Sequence, residues 1–189
     1  VSLPVVRACM RAALLAAWLG VSSWCAAQGG GQGAEYQVKA AFLYKFAGYV
    51  EWPEEAGGAV DAPFTIAVLG SEPLAVELQQ VVSGRTLADR SVTVRRLRFG
   101  DSLAGVHVLF LGQAETPPPD QLRQWTRHRP VLVVSESEGA LHAGSMINFV
   151  IVERRVRFEI ALDTAEANGL RLSSRLLAVA QKVTAAGAP

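Results

Sequence analysis

The residues able to do chemistry are few and scattered. The three histidines, His107, His128 and His142, include no pair at the i, i+4 spacing that sets two imidazoles on one helical face for zinc. His107 lies inside an apolar strand-like run and reads as a packed side chain. His128 falls near a helix C-terminus, a dipole-favoured structural position. Glu136 and Glu138 flank Ser137, and Glu153 and Glu159 follow. Their spacing pairs none of them into an acid–base couple, so they read as solvated charge. The motifs GxSxG, HExxH, GxxxxGK[ST] and GxGxxG are absent, which removes the standard esterase, zincin, P-loop and dinucleotide signatures. No catalytic residue, metal ligand set or cofactor is expected.

One spot could hold a small ligand. Gly70-Ser71 follows an apolar run and opens a helical pattern, and ligands of parallel α/β sheets sit off the carboxyl ends of strands beside helix N-termini. The same two residues are also what any strand-to-helix turn needs. Gly70 and Ser71 are therefore ligand-mouth candidates, with an ordinary turn as the competing reading.

The elements that must position these residues follow from periodicity. Tyr36 to Glu51 reads as a helix with Val38, Phe42, Phe46 and Tyr49 on one stripe and Leu43, Ala47 and Val50 beside it, ended by Trp52-Pro53. Phe64–Leu69, Val106–Leu111 and Val131–Val134 are short apolar runs, the mark of strands buried on both faces. Ser71 is the expected cap of a helix through Val82, and Val92–Leu97 is a strand alternating with arginines. A short helix covers Asp120–Arg129. Met146–Val152 and Arg155–Leu162 form a hairpin around Glu153-Arg154, a poor turn pair that suggests a wider loop. Asp163 is the expected cap of a helix that Asn168-Gly169 stops. Ser173 or Ser174 caps a last helix with Leu176, Leu177, Val179, Ala180 and Val183 on its buried stripe. The pattern predicts one α/β domain: a mostly parallel sheet with helices on both faces and a C-terminal antiparallel hairpin at its edge.

Residues 1–27 do not read as domain. Arg7 and Arg11 precede the apolar run Ala12–Val21, and small residues Cys25-Ala26-Ala27 follow, as in a cleavable secretory signal peptide. Bulky Trp24 argues against lipidation of Cys25. Gln28–Ala34, with its GGGQG, reads as a flexible linker (28–34), leaving 35–185 as the domain. Cys9 and Cys25 are the only cysteines, so loss of the leader leaves no thiol and no disulfide. Loss of the leader's two arginines takes the formal charge from +1 to −1. Local arginine clusters alternate with apolar residues as solvated faces do, and an exported chain has no nucleic-acid partner.

Two long stretches carry a resemblance. YQVKAAFLYKFAGYVEWP (36–53) and GSMINFVIVERRVRFEIALDTAEANGLRLSSRLLAVAQKV (144–183) resemble the two ends of the YfiR-like proteins, and VLG, a GR turn, VLFLG and PVLVVSE fit between them. The resemblance implies regulation: periplasmic proteins, usually homodimers, that bind the extracytoplasmic part of an inner-membrane diguanylate cyclase and lower cyclic-di-GMP output. Some relatives stand beside sensor kinases instead, and an outer-membrane lipoprotein can sequester the repressor. The best-known relatives carry periplasmic disulfides. The mature chain expected after loss of the leader has no cysteine, so redox sensing through its own thiols is not expected.

A binding function turns attention to exposed aromatics and arginines. Phe42 and Phe46 read as core, whereas Tyr49 and Trp52 crowd the helix end beside Glu51 and divide between core and contact surface. In GLRLSSRLL, alternation puts Arg171 and Ser173 on one side and Leu170 and Leu172 on the other. Tyr49, Glu51, Trp52, Arg171, Ser173 and Arg175 are thus the partner-binding candidates. The rivals are a small-molecule sensor using the Gly70-Ser71 mouth and a hydrolase with a site assembled from distant residues.

Overall fold

Three short apolar runs fix the centre of the sheet. In the computed structural model, β2 (Phe64–Leu69) and β5 (Val106–Leu111) are buried at every position, as is β6 (Leu132–Ser135). Layers cover both of their faces. The structure describes residues 29–53 and 62–185. The expected signal peptide and most of the loop after Pro53 lie outside the described residues. The chain divides between Ala34 and Glu35 into two compact units, and every strand belongs to the one that begins at Glu35.

The elements run α1 (Gly29–Gly48), β1 (Val50–Glu51), β2, α2 (Glu72–Val82), β3 (Thr86–Leu87), β4 (Arg90–Leu97), β5, α3 (Pro119–Thr126), β6, α4 (Ala140–Ala143), β7 (Ile147–Val152), β8 (Arg155–Ala161), α5 (Leu162–Ala167), β9 (Arg171–Leu172), α6 (Ser174–Ala178) and β10 (Lys182–Thr184). The main sheet has the order β10-β8-β7-β6-β5-β2-β4-β3, and β1 and β9 form a separate antiparallel ribbon. All pairings in the main sheet are parallel except β7–β8 and β3–β4. The domain is the expected α/β class.

Helix α1 lies on the sheet through rings. Phe46 stacks on Phe149 at 5.7 Å and meets Phe158 edge-on at 4.9 Å, and Phe42 reaches Phe158 at 5.5 Å. Fully burying one such side chain contributes about 1.5–3 kcal/mol. The buried ridge is Lys39, Leu43, Phe46 and Val50 flanked by Ala40 and Ala47. The helix is thus rotated from the expected stripe, and Val38 and Tyr49 face solvent.

Several boundaries differ from expectation, each for a non-local reason. The helix stops at Gly48 because Val50 and Glu51 pair with Leu172 and Arg171. It begins at Gly29, inside the expected flexible linker, although glycine disfavours helix; no contact of the described residues accounts for this. The last helix is only Ser174–Ala178, after which the chain adds β10 in parallel to β8. Val179 is therefore exposed, and the β7–β8 hairpin is not the sheet's edge. The hairpin loop is the two-residue form: Glu153 and Arg154 both take positive φ, 50° and 61°, the signature of a type I′ turn. Ser71 occupies the cap position of α2 without a side-chain cap bond, and Ala161 rather than Asp163 precedes α5.

Candidate interaction site

The β1–β9 ribbon gathers candidates that stand more than a hundred positions apart in the chain. Gly169 at φ 75° ends α5, and its N–H donates to Glu166 O at 2.9 Å. Leu170 and Leu172 then turn inward and are buried, which leaves Arg171 outward and exposed. Across the ribbon Val50 pairs with Leu172 and Glu51 with Arg171. The N–H of Ser173 donates to Tyr49 O at 2.9 Å and extends the pairing by one rung.

The six candidates have different surroundings. Tyr49, Glu51, Arg171 and Arg175 are exposed. Glu51 and Arg171 are register partners but form no ion pair, so both heads remain available to a third group. Ser173 caps α6, with its Oγ accepting from Leu176 N–H at 3.4 Å. Trp52 is half-buried: its indole N–H donates to Ala47 O at 3.2 Å, and it meets Phe64 and His107 edge-on at 5.4 and 5.9 Å. Its contacts brace the end of α1, just before Tyr49 and the strand that carries Glu51. Beside the ribbon lies a shallow cleft of about 730 Å³ lined by Glu51, Glu166, Arg171, Ser173 and Ser174 among others. Two carboxylates and one guanidinium group meet there, so the face suits a polar protein surface of mixed charge.

The ligand mouth is a second, separate feature. A cleft of about 580 Å³ opens at the carboxyl ends of β2, β4 and β5, lined by Tyr36, Gly70, Ser71, Arg96, Gln113 and Glu136 among others. Gly70 has φ 70°, and a Cβ there would stand 2.6 Å from Glu115 N. At Gly112 a Cβ would stand 2.4 Å from Gly70 O. Ser71 Oγ is buried and has no hydrogen-bond partner among the described residues. Arg96 and Glu72 pair across the rim at 2.9 Å.

Glu136 corrects the expectation of solvated charge. Its side chain is 4% exposed and accepts from Lys39 Nζ at 2.6 Å, while Lys39 also pairs with Glu35 one turn earlier. Burial pulls the Lys39 pKa down, but the hydrogen bonds and charges of Glu136 and Glu35 outweigh it, and the net shift is upward from 10.5. The Glu35–Lys39 spacing is visible in the sequence as an i, i+4 pair. Its third member, 97 positions away, is not.

His107 is a packed strand residue. It is buried, stacks on Phe64 at 4.3 Å, and its Nδ1 accepts from Thr65 N–H at 3.2 Å. Among the described residues no three His, Cys, Asp or Glu side chains are placed to hold a metal ion. No helix among them is long and apolar enough to cross a membrane.

A family model described as YfiR/HmsC-like matches residues 36–181. The chain belongs to the YfiR/HmsC-like family. The matched span begins in α1 and runs past α6, so it includes both strands of the β1–β9 ribbon. Comparison with curated proteins gives no match.

Proposed function

We propose that this YfiR/HmsC-like protein is an exported regulator that binds the periplasmic part of an inner-membrane diguanylate cyclase, or of a related sensor kinase, and holds it inactive. Cyclic-di-GMP output falls while the complex persists. Residues 1–27 serve as a cleaved leader, the mature chain acts as a homodimer in the periplasm, and an outer-membrane lipoprotein competes for it. The family is periplasmic, and regulatory rather than catalytic, which supports the class of function.

The observation that carries the surface assignment is the β1–β9 ribbon. Buried Val50 and Leu172 hold Glu51 and Arg171 side by side and outward, with Tyr49 next along the chain and Arg175 exposed on the helix that follows β9. Aromatic and arginine side chains are the usual anchors of protein interfaces, and a standard interface of about 1,600 Å² needs only a few. Trp52 acts as their support and Ser173 as the cap of the helix that carries Arg175.

The test is capture from solubilised inner membranes by the tagged chain. Recovery of a cyclase or kinase with the wild type, and its loss with Tyr49→Ala/Arg171→Glu at unchanged thermal stability, is expected. Equal capture by the variant would remove the ribbon from the interface, and recovery of no membrane signalling protein would remove the regulator reading. A second reading, a small-molecule sensor, is favoured by the unpartnered Ser71 Oγ beside the 580 Å³ cleft. A metabolite that raises the unfolding midpoint, with the rise lost in Ser71→Ala, is its test.

A further inference from the structure

The β7–β8 hairpin outruns the sheet it belongs to. β6 pairs with β7 only at Ile147 and Asn148, and β10 pairs with β8 only at Glu159, Ile160 and Ala161. The rungs from Phe149↔Phe158 to Val152↔Arg155 continue beyond both neighbours. Among the described residues the outer edge of this stretch of β8 has one backbone bond, from Gln181 N–H to Phe158 O at 2.8 Å. An open strand edge is a row of unpaired donors and acceptors that another strand can complete.

The side chains beside this edge alternate in kind. Strand geometry sets Arg155 and Arg157 on one face, with Val150 and Val152 across the rungs, and Val156 with Ile151 on the other. Arg154 stands in the turn. All three arginines are exposed, and none makes an ion pair among the described residues. Ile151 is 53% exposed although Phe149 and Phe158, one rung inward on its face, are buried under the rings of α1. The arm thus offers cations on one face, apolar surface on the other and unused backbone between them.

We infer that the outer edge of β8 at Arg155–Phe158 is a docking edge for an acidic, extended segment of another protein, which adds as a strand. Carboxylates at alternate positions of the incoming segment lie beside Arg155 and Arg157, and apolar residues between them extend the Ile151–Val156 face. A second copy is the poorer occupant. Antiparallel pairing of two such edges would set arginine against arginine, which is destabilising. An anionic membrane is poorer as well, because lipid leaves an open strand edge unsatisfied. The assignment is independent of the β1–β9 ribbon and stands or falls separately from it.

The probe is a short end-blocked peptide of alternating Asp and Val, labelled for fluorescence anisotropy and titrated with the full chain. Binding is expected, and so is its loss when alternate peptide amides of the probe are N-methylated. Arg155→Glu/Arg157→Glu should weaken the acidic probe by about tenfold or more and gain binding of a Lys/Val counterpart. The milder Arg155→Gln/Arg157→Gln serves the same purpose should the reversal disturb folding. Equal binding of the N-methylated peptide would reduce the effect to charge alone and overturn strand addition. Undiminished binding by the arginine variants would also overturn it. So would arginine-dependent binding of anionic phospholipid vesicles in place of the peptide, or a self-association that the same variants abolish.

Discussion

Replacing Lys39 with methionine should destabilise the domain far more than its single charge suggests. Lys39 lies between Glu35 and Glu136, and the Glu136 side chain is 4% exposed. Methionine keeps the stem's apolar packing and leaves a buried carboxylate without its counterion. Breaking a buried pair on one side costs about 3–5 kcal/mol. For a domain of this size each kcal/mol moves the thermal midpoint by about 2–4 °C, so a fall of roughly 6–20 °C is expected by differential scanning calorimetry. The double variant Lys39→Met/Glu136→Leu removes the stranded charge and should recover most of the loss, since apolar replacement of a whole buried pair is often neutral. The pH dependence has a definite sign. The folded pKa of Lys39 lies above its unfolded value of 10.5. The ammonium's contribution is therefore fully present below about 10.5 and is lost as pH rises through the folded value. The gap between wild type and Lys39→Met should be flat across neutral pH and shrink in strong alkali. A loss below about 1 kcal/mol, or a double variant as unstable as the single, would refute the view that Glu136 depends on Lys39.

Three more outcomes rest on packing and backbone geometry. Phe46→Ala, at 1% exposure between Phe149 and Phe158, should cost about 3–5 kcal/mol in urea unfolding, against a much smaller loss for exposed Val38→Ala. Gly112→Ala forces a Cβ to 2.4 Å from Gly70 O and should cost more than about 1–3 kcal/mol; Gly84→Ala has open space and should show only the left-handed backbone penalty of about 1–2 kcal/mol at φ 68°. Replacing Glu153-Arg154 with Asn-Gly should raise the unfolding free energy by about 1–2 kcal/mol, because both positions hold positive φ that Asn and Gly tolerate.

What the sequence disclosed was whatever local pattern controls. Phe64–Leu69 and Val106–Leu111 are uninterrupted apolar runs and became central strands, and Gly169 stops α5 as an Asn-Gly pair should. What it hid depends on partners far along the chain. Val50 and Glu51 continue a helical pattern, yet their pairing with Arg171 and Leu172 overrides it. Val179 and Val183 hold helical spacing, but β8 offers an edge at Glu159–Ala161 and Lys182–Thr184 takes it as strand. At the candidate site the types of Arg171 and Glu51 were legible. Their adjacency was not, since nothing local signals a two-residue ribbon. Glu136 looked like any loop carboxylate because its counterion belongs to the first helix.

The partners of that first helix also impose an order of events on the nascent chain. The rings of Phe149 and Phe158, the carboxylate of Glu136 and the mate of Val50 at Leu172 all emerge after residue 135. A polypeptide released up to that point can already set Tyr44 O–H on Thr86 O, but it lacks the rings that cover Phe42 and Phe46, and contacts of such wide sequence separation close slowly. The central strands β2, β4, β5 and β6 can pair before then, but the seating of α1 on the β7–β8 hairpin waits for the final quarter of the chain.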